Sequence, residues 1–281
     1  MIYTNKLNLS EAIVNSVKDS KPPVKDRYSV TELLSPTRQI QLTRKYYDKI
    51  EVDVSDCVNT LFGTVVHSIL EENASEDVET EIKMEIDFEG VTLVGKFDVR
   101  DLKNLEIEDY KTGKVSTVMK QDFEEYKTQG LAYAWMTYLK TGVIIRNLKI
   151  DIFLKDWSKI KAAVVDNYPQ TPIYVYKYKI EDSDYDYIRN LIKNKIRELK
   201  SEKIMLCSDK DRWYTGTNYA VYRKVGDKRA ALVTDNEQEA HNFITNQCNG
   251  TGEIQVRRGE YLRCQYYCSC NKFCEQWKGG N

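Results

Sequence analysis

The sequence predicts an α/β (α+β) protein: a central mixed sheet flanked by helices, then a small inserted hairpin–helix unit and a cysteine-rich C-terminal tail. Strand-patterned runs near 79–88, 91–100 and 104–111 are separated only by Glu89-Gly90 and Asp101–Lys103. Connections that short make antiparallel neighbours. Helical periodicity brackets these runs, and strand signals return near 147–155 and 172–180 before a long helical stretch from Ser183 to Lys203. The end of the chain stands apart, because four cysteines crowd between Cys264 and Cys274.

Residues 1–26 are polar, and Lys21-Pro22-Pro23 reads as a linker. A short helix is expected from Ser29, a break at Ser35-Pro36, and a helix to Tyr47. Pro36 suits a first helical turn, where its missing N–H costs nothing. Across 56–73, Val58, Leu61, Phe62, Val65, Ile69 and Leu70 recur at helical spacing and predict a helix with one apolar face. Residues 121–140 read as a further helix. AVYRKVGDKRAALVTD, with Gly226-Asp227 near its turn, reads as a β-hairpin, and NEQEAHNFITN as a short helix. The expected divisions are 1–211 for the core, 212–248 for the insert and 249–281 for a tail packing back on the core. A long excursion of the main sheet is the alternative reading of the insert.

A chain of 281 residues can bury one sizeable core, or a core plus a small appended domain. Its 42 basic and 43 acidic residues nearly cancel, which excludes a wholly basic nucleic-acid coat. Any DNA contact must use a local basic patch. Residues 1–20 lack the apolar core of a signal peptide, and no apolar run approaches the roughly 20 residues of a membrane span. A soluble, cytoplasmic protein without membrane contact is expected.

The chemistry concentrates in GKFDVRDLKNLEIEDYKTGK, residues 95–114. Period-2 alternation puts Leu105, Ile107, Asp109 and Lys111 on one strand face, two apolar residues and then two charged. Antiparallel pairing can bring Asp98 beside Asp109. Converging carboxylates suit Mg²⁺, which takes hard oxygen ligands. A lysine two residues from one of them can hold or polarise an attacking water. Acid-x-Lys also occurs at Glu81–Lys83, Asp101–Lys103 and Glu125–Lys127, each most simply a solvated surface pair. Gly63, His67 and Glu71 are spaced by four and share a helical stripe, where Gly63 leaves room for close approach. His67, with His241 one of two histidines, reads either as a ligand or as a packing residue. Gln129 and Tyr133 face the same way and can hydrogen-bond a phosphate or a base, or belong to an ordinary amphipathic helix.

Taken in order, GTVVHSILE, GKFD, EDYKTGK and QGLAY resemble the motifs of RecB-like nucleases of the PD-(D/E)xK superfamily, over roughly residues 27–205. The resemblance implies a restriction-endonuclease-like core and a Mg²⁺- or Mn²⁺-dependent deoxyribonuclease. It implies that His67, Asp98, Asp109 and the carbonyl of Tyr110 ligate the metal, and that Lys111 positions and activates water. Gln129 and Tyr133 would support the substrate or the site. The segment YSVTELLSPTRQIQLTRKYY resembles the family's first helical region, where an Arg or Lys meets DNA. The expected role is an exonuclease in recombination or DNA-end processing, bacterial or phage-encoded. Its partners would be DNA, a single-strand annealing or other recombination protein, and further copies of itself as a homo-oligomer. A CRISPR-adaptation-type nuclease and a catalytically silent DNA-binding module are the alternatives. The retained Asp98, Asp109 and Lys111 weigh against the silent module.

Cys264, Cys268, Cys270 and Cys274 place four thiols in 11 residues, which suits zinc or an iron–sulfur cluster. Reduced structural cysteines are the alternative. Some RecB-like nucleases hold a [4Fe–4S] cluster with three tail cysteines and one from the N-terminal region, and Cys264, Cys268 and Cys274 resemble the tail set. The segment 27–47 has no cysteine for the first ligand. Cys270 supplies a local fourth ligand, or Cys57 supplies one from afar, or the metal is zinc or absent. Lys224, Lys228, Arg229, Arg257, Arg258 and Arg263 make this region locally basic, as a DNA-guiding surface or a solvated hairpin would be.

Overall fold

In the computed structural model, which describes residues 1–18 and 21–278, a six-stranded mixed sheet organises the first of two units, Met1–Ile204. In chain order this unit contains Ile2–Thr4 (β1), Glu11–Val17 (α1), Arg27–Ser29 (β2), Val30–Leu34 (α2), Thr37–Lys45 (α3) and Glu51–Asp53 (β3). Val58–Glu72 (α4), Glu79–Phe88 (β4), Val91–Asp101 (β5), Glu106–Gly113 (β6), Val115–Met119 (α5) and Glu124–Thr141 (α6) follow. Asn147–Leu154 (β7), Lys159–Val164 (α7), Ile173–Lys179 (β8) and Asp182–Leu199 (α8) complete it.

The sheet runs β2-β5-β6-β7-β8, with β4 on the other edge of β5. The β4–β5 turn uses Glu89 at φ 51° and Gly90 at φ 71°. Two successive positive φ values match the right-handed twist of a tight hairpin. β6 and β7 are parallel neighbours, so the chain crosses over between them through α5 and α6. Leu148, Ile150 and Ile152 of β7 are buried on one face with Leu93, Phe97 and Ile107. Leu131, Ala132 and Met136 of α6 and Ile188, Ile192 and Ile196 of α8 join them in one core. A Cβ on Gly130 would stand 2.4 Å from Leu148 Cδ1, so α6 lies close against β7.

One expectation needs correction. The apolar stripe of α4 is only partly covered: Val58, Leu61 and Leu70 are half-buried, but Phe62 and Ile69 are each 56% exposed, and no residue of the helix is buried. Contacts at Gly63 and His67 set the helix's rotation instead. Gly63 faces Thr112 of β6, and His67 bonds to β5. The helix expected at 121–140 is α6, Glu124–Thr141, and the short α5 precedes it, with Gln121 at φ 54° between the two.

The second unit starts at Met205. It contains Asp209–Arg212 (α9), Asn218–Tyr222 (β9), Leu232–Thr234 (β10), Glu237–Gln247 (α10), Glu253–Arg257 (β11) and Glu275–Lys278 (α11). β9 is the centre of a three-stranded antiparallel sheet, paired with β10 on one side and β11 on the other. Hairpin and tail thus share one sheet. The end of the tail, residues 279–281, lies outside the described residues. No helix among the described residues is long and apolar enough to cross a membrane.

Candidate metal centre and active site

The site begins with strand register. Thr80 pairs with Val99 and Ile82 with Phe97, so Glu81 on β4 stands directly across from Asp98 on β5. Glu81 interrupts the ladder there with φ 51°, a left-handed conformation inside a strand. Strain of this kind persists where the surroundings hold it, often at functional sites. From α4, His67 Nδ1 comes within 2.7 Å of Asp98 Oδ1. One ligand atom each from His67, Glu81 and Asp98 lie within 4.8 Å of one another. Asp98 Oδ2 accepts the backbone N–H of Tyr110 at 2.7 Å, which ties β5 to β6 beside the site.

Asp109 of β6 is 5% exposed, and its carboxylate forms an ion pair with Lys111. Burial pushes its pKa above the usual aspartate value. Lys111 opposes the shift and the neighbouring Asp98 adds to it. The hydrogen bond to Asp98 raises the His67 pKa against the opposing effect of burial. Glu81 and Asp98 converge with His67, while Asp109 lies outside that group of three; Lys96 pairs with Glu81, His67 with Asp98 and Lys111 with Asp109. The donor set of hard oxygens and one imidazole fits a divalent cation, which would offset the buried charge of Asp109.

On α6, Gln129 Nε2 donates to Tyr133 Oη at 2.9 Å and to Thr31 Oγ1 at 3.2 Å. Tyr133 is 3% exposed, and burial, then the charge of Asp109, keeps its phenol protonated. It can brace the site from behind but cannot lie against a substrate strand. The ring of Tyr110 meets that of His67 edge-on at 6.2 Å. In the first helical region, Arg44 is engaged by Glu32 and by the carbonyls of Val24 and Arg27, and Arg38 is buried. Lys45 is the basic side chain of α3 left at the surface.

Sequence reasoning passed over Glu81 as half of a solvated pair. The signal was available, since a two-residue turn at Glu89-Gly90 sets the register that puts Glu81 opposite Asp98. The positive φ at Glu81 has no such signature.

In the second unit, Cys264 sits in a π turn, Arg263–Tyr267, and Asn271 Nδ2 donates to its carbonyl at 2.9 Å. Cys268 Sγ and Cys270 Sγ are 3.5 Å apart. The hydrogen bond from Cys270 lowers the Cys268 thiol to about 7. Burial pushes the Cys207 thiol up to about 12, with Asp211 and then the Cys274, Cys264 and Cys268 thiols adding to the effect. Cys57 lies in the first unit, where its thiol donates to the carbonyl of Asp53 at 3.7 Å.

No family model matches the chain, and no curated protein matches it either. Several solved structures are similar in fold. SSO0001 covers 72% of this chain and 87% of its own, at 17% identity and a TM-score of 0.48. An alkaline exonuclease from Laribacter hongkongensis, also solved with dAMP, covers 63% of this chain and 89% of its own, at 12% identity and a TM-score of 0.39. A phage-related exonuclease from Haemophilus somnus 129PT covers 58% of this chain and 71% of its own, at 13% identity and a TM-score of 0.30. Likeness this distant says nothing of chemistry, which rests on the side chains described above.

Proposed function

We propose that this protein is a divalent-metal-dependent deoxyribonuclease of the PD-(D/E)xK, RecB-like type, acting as an exonuclease on DNA ends. The observation that carries the reading is the convergence of His67, Glu81 and Asp98 within 4.8 Å, beside the buried Asp109–Lys111 pair. His67, Asp98, Asp109 and the carbonyl of Tyr110 would hold Mg²⁺ or Mn²⁺, with Glu81 as a further carboxylate. A cation bound there would lower the pKa of a water and stabilise charge developing on the phosphate. Lys111, anchored by Asp109, is placed to orient the attacking water and to counter negative charge on the scissile phosphate. Gln129 and Tyr133 keep α6 in register behind the carboxylates. In the tail, Cys264, Cys268, Cys270 and Cys274 supply soft thiolate donors for zinc or an iron–sulfur cluster in a structural role.

The test is incubation with end-labelled single- and double-stranded DNA in Mg²⁺, Mn²⁺ or EDTA, alongside Asp109→Ala and Lys111→Ala. Degradation that needs metal and disappears in both variants supports the reading. A well-folded wild type that cuts nothing under any condition overturns it and favours a DNA-binding module.

A further inference from the structure

We infer that Cys207 is a ligand of a four-thiolate metal centre in the second unit, together with Cys264, Cys268 and Cys274. The inference rests on the reading of the tail as a metal site and puts Cys207 in the place of Cys270 among its ligands.

Cys207 lies far ahead of the tail in sequence, yet the tail grips its backbone. Gln276, two residues beyond Cys274, accepts the Cys207 N–H at 2.9 Å and donates to the Cys207 carbonyl at 2.8 Å. Both backbone polar groups of Cys207 are thereby fixed beside the end of the cysteine cluster. Asn271 links the other three cysteines: its side chain donates to the Cys264 carbonyl at 2.9 Å, its N–H donates to the Cys268 carbonyl at 3.1 Å, and its carbonyl accepts the Cys274 N–H at 3.0 Å. Cys270, whose Sγ is 3.5 Å from that of Cys268, is placed as a hydrogen-bond partner of a ligand sulfur.

The second unit also has little else to hold it together. Among its described residues the buried aliphatic side chains are Ala220, Val221 and Ala240, with Cys248, Cys270 and Cys274 the other buried apolar groups. Units below about 80 residues commonly need a metal or cross-links in place of a larger core. Four thiolates gathered from both ends of this unit would close it as a structural tetrathiolate site does.

The test uses the full-length chain purified without oxygen, with iron, sulfide and zinc measured per chain. Wild type, Cys57→Ser and Cys270→Ser should hold one centre per chain, and Cys207→Ser and Cys264→Ser should each lose it by tenfold or more. Zinc, or iron with sulfide, supports the ligand set equally. Because a variant can misfold, cysteine alkylation is also mapped in folded wild type before and after metal removal. Cys207, Cys264, Cys268 and Cys274 should be protected together and become reactive together. Full metal in Cys207→Ser, or alkylation of Cys207 in the loaded protein, overturns the inference and leaves the tail reading intact if Cys264→Ser is still empty. A wild type without metal overturns both, and the DNA-cleavage assay judges the nuclease reading separately.

Discussion

Asp98 holds the imidazole of His67 with one carboxylate oxygen and the amide of Tyr110 with the other, each at 2.7 Å. One side chain thus joins α4, β5 and β6 at the point where the carboxylates meet. Asp98→Asn keeps the shape but gives up one acceptor oxygen and the negative charge. It should lower DNA cleavage at least about 100-fold, the cost typical of disturbing a metal site and its orienting partners. Titration calorimetry with Mn²⁺ should show a parallel loss of affinity. Wild-type cleavage by Asp98→Asn would remove this residue from the site.

Glu81 carries a prediction that separates metal binding from strand packing. Glu81→Gln should weaken Mn²⁺ binding by about tenfold or more. Lys96→Ala removes only the ion-pair partner of Glu81 and should leave binding the same or tighter. Equal losses in the two variants would mean that the Glu81–Lys96 pair serves the fold alone.

Asp109 should cost stability in the metal-free protein. Its folded pKa is raised by burial, so the folded state binds the proton more readily than the unfolded chain. Stability then falls as pH rises from the unfolded aspartate value through the raised folded one, and the deficit is fully present above both. Asp109→Asn in EDTA near neutral pH should therefore raise the thermal midpoint by about 2 °C or more, the shift that about 1 kcal/mol produces in a chain of this size. The same variant should abolish cleavage. A midpoint lower than wild type would show that the Lys111 pair outweighs the burial cost.

Gly130 tests the packing behind the site. An added methyl would meet three Leu148 side-chain atoms, the nearest at 2.4 Å. Gly130→Ala should destabilise the protein by about 1–3 kcal/mol, as overpacking of a tight core does, despite alanine's better helix propensity. Urea unfolding measures it, and a stability equal to wild type would mean that Leu148 can move aside freely.

Much of the core's element order is legible in the chain, because each element there carries a local pattern. β4 matches its expected run at Glu79–Phe88, and β7 and α8 fall within a few residues of theirs. These segments alternate or repeat strongly, and short polar turns bound them. The rotation of α4 was not legible. Phe62, Val65 and Ile69 mark an apolar stripe, but Gly63 and His67 meet the sheet. Hydrophobic periodicity weighs all apolar residues alike and cannot see a hydrogen bond to another element. Similarly, 212–248 and the tail read as separate pieces, since nothing local announces that β11 pairs with β9.

Local chemistry identified Asp98, Asp109, Lys111 and His67 as candidates, since residue type, spacing and strand alternation are all written along the chain. Tertiary structure decided which of them meet. Only the register of β4 on β5 put Glu81 across from Asp98, and only the docking of α4 carried His67 to the same point. The Gln276 clamp likewise brought Cys207 to the tail. Each is a contact between segments distant in sequence, set by pairing geometry and burial, which no window of neighbouring residues contains.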